Sequence, residues 1–430
     1  FTLPITAAMV ALTIGLSIRT NNKVVHCNCT NKEYLSEMLG KSIASSVLIV
    51  GLFSLLFFLS TTPLLFATGS NQWLSETSNS AEIYGQSSYL NLRYAGWIFL
   101  AVIWQVSATL RALGWMKIAS HLMFAWALTK SLTALTLLAP QSPFYSDGLA
   151  TLGLVHFVTD TIFAFISLFL LSTKIDIKLP SFSALRRIDI KNSTDSLLII
   201  VQQFITPVSM AVLTAIAASI DSSYVAALAL LFRLEVLFLL LPMVLTTTIP
   251  AIVGANFWLD HKIRVQSIYK FTFTTIALFQ LAIAVLVYSQ SQLLSAFVCP
   301  HDAIAFHLAN YLHWVPWAYG TAGIAIVFQS CLNAKNKTLQ ATIVGLSHRI
   351  LFVLPLTAFG TYIFDHNGFY IGLMLGHLGA VVAVIYLVKQ SRIFSTNTTY
   401  TAIYSDNNTK LTIDVDSHAS TSRKGINNET

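Results

Sequence analysis

Charge is what this chain lacks most. Only 10% of its 430 residues are Asp, Glu, Lys or Arg, against 55% hydrophobic, and the mean hydropathy is +0.68. A large soluble domain cannot be built from that balance, whereas a polytopic membrane protein can. Cysteine is scarce too. Four residues, Cys27, Cys29, Cys299 and Cys331, give no disulfide framework, and His26-Cys27-Asn28-Cys29 without a second cluster reads as free thiols rather than a metal site. No H-E-x-x-H, nucleotide-binding loop or nucleophile elbow is present, so neither an enzyme nor an ATP-driven pump is expected. Strand alternation is missing as well. The formal charge of +7 invites nucleic acid, but the basic residues sit in short groups between apolar spans instead of along one face, which excludes that partner.

What is there is a series of apolar spans: Phe1–Ile18, Ser42–Phe66, Tyr94–Gly114, Ile118–Ala139, Leu149–Ser172, Leu197–Ile220, Tyr224–Ile252, Tyr269–Ser289, Leu308–Cys331, Leu339–Ile363 and Phe369–Val388. Each is about long enough to cross a bilayer once as a helix, which predicts eleven crossings. Alternate connections carry the Lys and Arg: Arg19 to Lys41, Arg111 and Lys117, Lys174 to Lys191, Lys262 to Lys270, Lys335 and Lys337, then Lys389 and Arg392. The other connections are almost bare of them. Lys and Arg bias sets orientation, so Phe1 is expected outside and the C-terminus in the cytoplasm of a multi-pass protein of the cell inner membrane. The chain divides into an N lobe at 1-173, a cytoplasmic linker at 174-195, a C lobe at 196-390 and a Thr/Asn/Ser/Asp-rich disordered tail at 391-430. Phe1 stands inside an apolar run without an initiator Met, so one earlier helix is expected upstream.

Ionisable residues within the spans are expensive and mark function or pairing. In the span around Ser223 to Trp258, Glu235 falls roughly 17 Å deep, near the bilayer centre. Arg233, two residues away, points elsewhere and cannot satisfy it. Arg349 reaches a similar depth from its own helix, so Glu235 reads either as its partner in a structural pair or as a titrating carboxylate facing the cavity, with His348 as a packed residue. In the first lobe His156 and Asp160 are four apart on one helix face, and Lys130 arrives at similar height from the preceding helix. That set reads either as a proton-coupling cluster or as a structural charge pair. Trp97, Trp104, Trp115, Trp126, Trp314 and Trp317 read mainly as packing and interface residues.

These residues carry a resemblance. Thr206-Pro207-Val208-Ser209, Val225-Ala226-Ala227 with Phe232-Arg233-Leu234-Glu235, Leu332-Asn333-Ala334, and Ser347-His348-Arg349-Ile350 with Leu354-Pro355-Leu356 resemble the second lobe of a MATE (multidrug and toxic compound extrusion) transporter. Leu110-Arg111-Ala112-Leu113-Gly114 is similar to the close of the fourth family helix. The resemblance implies an all-α polytopic membrane protein of two pseudo-symmetric six-helix lobes, with eleven helices present of an expected twelve. It implies a monomer among membrane lipids that exports amphipathic organic cations against H+ or Na+, with no other cofactor. Where the fifth family helix usually presents Asn and Asp, this chain has Lys130 and Ala134, and a common carboxylate of the seventh helix falls at Thr206. Two alternatives stay open on those departures: a lipid-linked or metabolite exporter of the same superfamily, and a truncated remnant that does not transport.

Overall fold

The computed structural model describes residues 2–30, 32–67, 80–139, 141–142, 148–176 and 190–390. Most of the expected linker and all of the expected tail lie outside the described residues. The first lobe consists of α1 (Thr2–Thr30), α2 (Leu35–Ala67), α3 (Ser80–Ala112), α4 (Met116–Leu137) and α5 (Gly148–Ser172). The second consists of α6 (Ile190–Ala218), α7 (Ser222–Phe238), α8 (Leu240–Trp258), α9 (Lys262–Ser289), α10 (Ser291–Val298), α11 (Asp302–Trp314), α12 (Tyr319–Ala334), α13 (Thr338–Leu346) and α14 (Leu354–Gln390). The described residues contain no strand. Nine helical stretches among them are long and apolar enough to cross a membrane. The two further expected crossings fall in α1 and α4, which are helical but lie outside that set, so eleven crossings are not established.

Several helices depart from regularity for identifiable reasons. The expected span Tyr224–Ile252 is two helices that break at Leu239. Pro242 has no N–H to offer Phe238, four residues earlier, and that carbonyl instead accepts a hydrogen bond from Gln280 Nε2 at 3.0 Å. Ahead of Pro355, Ser347–Val353 winds as a π-helix. Within α14 the chain doubles back on itself, so that Gly360 lies against Gly368, Gly372 against Leu356 and Thr357, Gly376 against Val353, and Gly379 against Phe352. A Cβ at these positions would strike backbone or a packed ring, which is how small residues let two membrane helices approach closely.

Lipid replaces water as the outer solvent, so the surface is apolar: Leu135, Phe169, Phe271, Phe297 and Tyr362 are all largely exposed. The interior is where polar side chains collect. Gln202 of α6 exchanges amide hydrogen bonds with Asn333 of α12, whose Nδ2 donates to Gln202 Oε1 at 2.8 Å, and donates to Thr342 Oγ1 of α13 at 2.9 Å. Gln329 Nε2 donates to the same Oε1 at 3.1 Å. Gln202 thus ties three helices of the second lobe together, α6 to α12 through Asn333 and to α13 through Thr342.

The lobes join along the face that carries the basic connections. Ile200 of α6 packs into the first-lobe core of Met9, Leu12 and Leu16, and a Cβ on Gly15 would stand 3.2 Å from the Ile200 Cα. Val25, Cys27, Leu39 and Ala112 of the first lobe share a cluster with Ala251 of α8, against which Trp258 packs. His26 meets Trp258 edge-on, ring centres 4.3 Å apart, and Trp258 Nε1 donates to the Ala334 carbonyl at 3.3 Å.

Candidate functional site

Among the described residues, the first lobe holds a buried ion-pair cluster, and the second buries Glu235 and Arg349 without pairing them. In the first, α3 and α5 run so close that a Cβ on Gly153 would come to 3.0 Å from the Tyr89 Cα. This seam buries Asp160 completely. Its Oδ1 accepts hydrogen bonds from Lys130 Nζ at 2.6 Å and from Trp126 Nε1 at 2.8 Å, both on α4. Lys130 also sits over the Trp126 ring, 4.5 Å from its centre. The expected pairing of Lys130 with Asp160 is therefore present. His156 lies one turn below Asp160 on α5, but its Nδ1 makes no hydrogen bond.

Arg93 completes the cluster and was not singled out from sequence. Its Nη1 stands 3.8 Å from Asp160 Oδ2, inside ion-pair distance but too long for a hydrogen bond. Only 7% of its surface is exposed, and its Nε and Nη1 have no hydrogen-bond partner. The guanidinium lies 6.0 Å from the ring centre of Trp97, one turn on, whose Nε1 is likewise buried and unpartnered. Two cations thus face one carboxylate.

In the second lobe α7 buries Glu235, whose Oε1 has no hydrogen-bond partner. Arg349 is buried too, on the π-helical turn. The two do not come within ion-pair distance, so the expected Glu235–Arg349 salt bridge is not formed. A π-helix places more residues in each turn than an α-helix, which changes the direction Arg349 takes from that inferred for a regular helix. His348 Nε2 and His377 Nδ1 are 3.1 Å apart and share one hydrogen bond, while Thr321 Oγ1 donates to the His377 carbonyl at 2.9 Å. His377, on α14, was not singled out from sequence. Arg233 stays exposed on the opposite side of α7, and no described residue forms an ion pair with it.

At the basic face, Lys335 follows α12 and is 5% exposed. Its ammonium lies 4.9 Å from the ring centre of Tyr269 and 5.5 Å from that of Phe257. Burial, with Lys337 nearby, pushes this ammonium down to about 8.

The described residues thus form two lobes of apolar helices joined along one face, with charged side chains buried inside each. Residues 199–359 match the MatE family model, so the second half of the chain carries a MatE domain, and the chain has the fold of MATE transporters. It superposes on a mutant of the Vibrio cholerae MATE transporter VcmN with a TM-score of 0.81 at 21% identity, covering 92% of this chain and 88% of that one. A multidrug resistance MATE family transporter of the MOP superfamily, solved in an outward-facing conformation, gives a TM-score of 0.76 at 15% identity over 92% and 88% of the two chains. A MOP superfamily transporter from Pyrococcus furiosus gives 0.76 at 14% identity over 92% and 87%. Among curated proteins, the FAD transporter of Shewanella oneidensis is 28% identical over 186 residues, which spans 43% of this chain and 41% of that one.

Proposed function

We propose that this protein is a secondary transporter that exports an organic solute by alternating access, in exchange for inward H+ or Na+. The observation that carries the reading is the join between the lobes along the basic face, with charged side chains buried inside each lobe. Rocking of two such bundles about a central site is the general mechanism of repeat-built transporters. With the basic face cytoplasmic by the positive-inside rule, the join between the lobes closes the cytoplasmic side in this reading.

Two observations favour a metabolite over an amphipathic organic cation as the solute. The Shewanella oneidensis relative is named for transport of FAD. The first-lobe cluster holds Arg93 and Lys130 against Asp160 alone, so a third cation would meet repulsion in a medium that screens poorly. Inverted vesicles bearing the protein test both halves of the reading. They should accumulate a flavin nucleotide more readily than ethidium, and a protonophore together with a Na+ ionophore should abolish the uptake. Ethidium uptake without flavin uptake would restore the organic-cation reading, and uptake indifferent to both ionophores would overturn secondary transport.

A further inference from the structure

Resting on the transporter reading, we propose that the first-lobe cluster is the recognition site for an acidic group, a phosphate or carboxylate, on the transported solute. The group would be held by Arg93 and Trp97 of α3, with Lys130 supplying the second charge.

The cluster is incomplete in two respects that one anion resolves together. The first is charge. Asp160 is shared between Lys130 and Arg93, which leaves one positive charge in excess at a depth where an uncompensated charge is costly. The second is hydrogen bonding. Asp160 Oδ1 is saturated by Lys130 and Trp126, whereas Oδ2 lies against the α3–α5 seam, 3.9 Å from where a Gly96 Cβ would stand. Arg93 does not hydrogen-bond it: Oδ2, Nε and Nη1 all remain unpartnered although both residues are more than nine-tenths buried. Trp97 Nε1, one turn along the same helix face, is also unpartnered in a residue 1% exposed.

A guanidinium edge and an adjacent indole N–H, none of them hydrogen-bonded, match a group that is acceptor only. Ionised carboxylates and phosphates are of that kind, and guanidinium binds both bidentately. An ammonium or quaternary amine offers nothing to these donors. Asp160 then has a positioning role: it fixes Lys130 and holds Arg93 within reach while leaving Nε without a partner.

Thermal melting of the purified full chain in detergent tests this, with inorganic phosphate and glycerol phosphate as probes against chloride and choline at equal ionic strength. Glycerol phosphate should raise the melting temperature saturably, and choline should not. Arg93→Lys, which keeps the charge but loses the fork, should raise the half-saturating concentration at least tenfold. Trp97→Phe, which removes one N–H and little volume, should raise it severalfold, and Lys262→Gln on the exposed surface should leave it unchanged. Equal stabilisation of wild type, Arg93→Lys and Trp97→Phe would overturn the site. Saturation by chloride alone, with no response to glycerol phosphate, would overturn its assignment to the solute. Failure here with intact ionophore-sensitive uptake in vesicles would leave the transporter reading standing, and phosphate binding without any uptake would defeat that reading while keeping the site.

Discussion

Lys130 Nζ donates to Asp160 Oδ1 across 2.6 Å from α4 to α5, while Arg93 stands 3.8 Å from the other carboxylate oxygen. The three residues are therefore not equivalent. Asp160→Asn would leave two buried cations facing a neutral amide and should cost about 3–5 kcal/mol, the loss typical of breaking a buried ion pair. Lys130→Met should cost less, because Arg93 and the Trp126 N–H still serve the carboxylate. The Lys130→Met/Asp160→Asn double variant should recover only part of the loss, since Arg93 is still without its anion, and adding Arg93→Met should recover more. Melting temperatures of the series in detergent decide it. Full recovery in the double variant would mean that Arg93 takes no part.

How much of this was legible in the sequence depends on whether depth could be counted along an unbroken helix. Lys130 and Asp160 sit on regular helices, and their meeting follows from rise per residue alone. Arg93 was placed at a helix end because the apolar run begins only at Tyr94. The helix in fact starts at Ser80, which puts Arg93 about 20 Å along it. The same counting failed for Arg349, the third residue of a seven-residue π-helical stretch, and for Glu235 it missed the break at Leu239 that follows one turn later. Hydropathy reports burial in lipid but carries no signal for such irregularities, although Pro242 and Pro355 mark where to look. Gln202 went unremarked because an amide carries no charge to flag, yet with Asn333 and Thr342 it joins three helices.

The hairpin within α14 gives a contrast between glycines. Gly372 faces the Leu356 carbonyl and Thr357 Cα so closely that a methyl has no room, whereas a methyl on Gly51 would meet only Ile98 at ordinary distance, 3.7 Å. Overpacking a tight seam costs about 1–3 kcal/mol or more. Gly372→Ala should therefore lower the melting temperature or the yield sharply, and Gly51→Ala should be close to neutral. Similar melting curves for the two would mean that the hairpin halves can separate at little cost.

Val25 and Gly254 offer a handle on the lobe movement. A Cβ on Gly254 would lie 3.0 Å from Val25 Cγ1, so the two Cβ atoms fall within the span a disulfide bridges. In a Cys27→Ser/Cys29→Ser background, Val25→Cys/Gly254→Cys should form a disulfide on oxidation and hold the basic face shut. Uptake into inverted vesicles should then fall to background and return with dithiothreitol. Full uptake by the cross-linked protein would mean that this face does not open during the cycle.

Lys335 makes the stability of the basic face depend on pH. Its ammonium is held down to about 8, chiefly by burial and further by Lys337, from an ordinary 10.5. Between those two values the unfolded chain holds the proton and the folded protein has released it. The folded state therefore binds fewer protons, and stability must rise with pH across that window. Below about 8 both states carry the charge, and the cost of burying it is present in full, offset in part by the rings of Tyr269 and Phe257. Lys335→Met keeps the chain length and removes the charge, so it should be more stable than wild type near neutral pH and should lose the rise above 8. Melting temperatures of both proteins from pH 6 to 10 check this. Parallel curves across that range would show that the Lys335 ammonium is solvated in the folded protein.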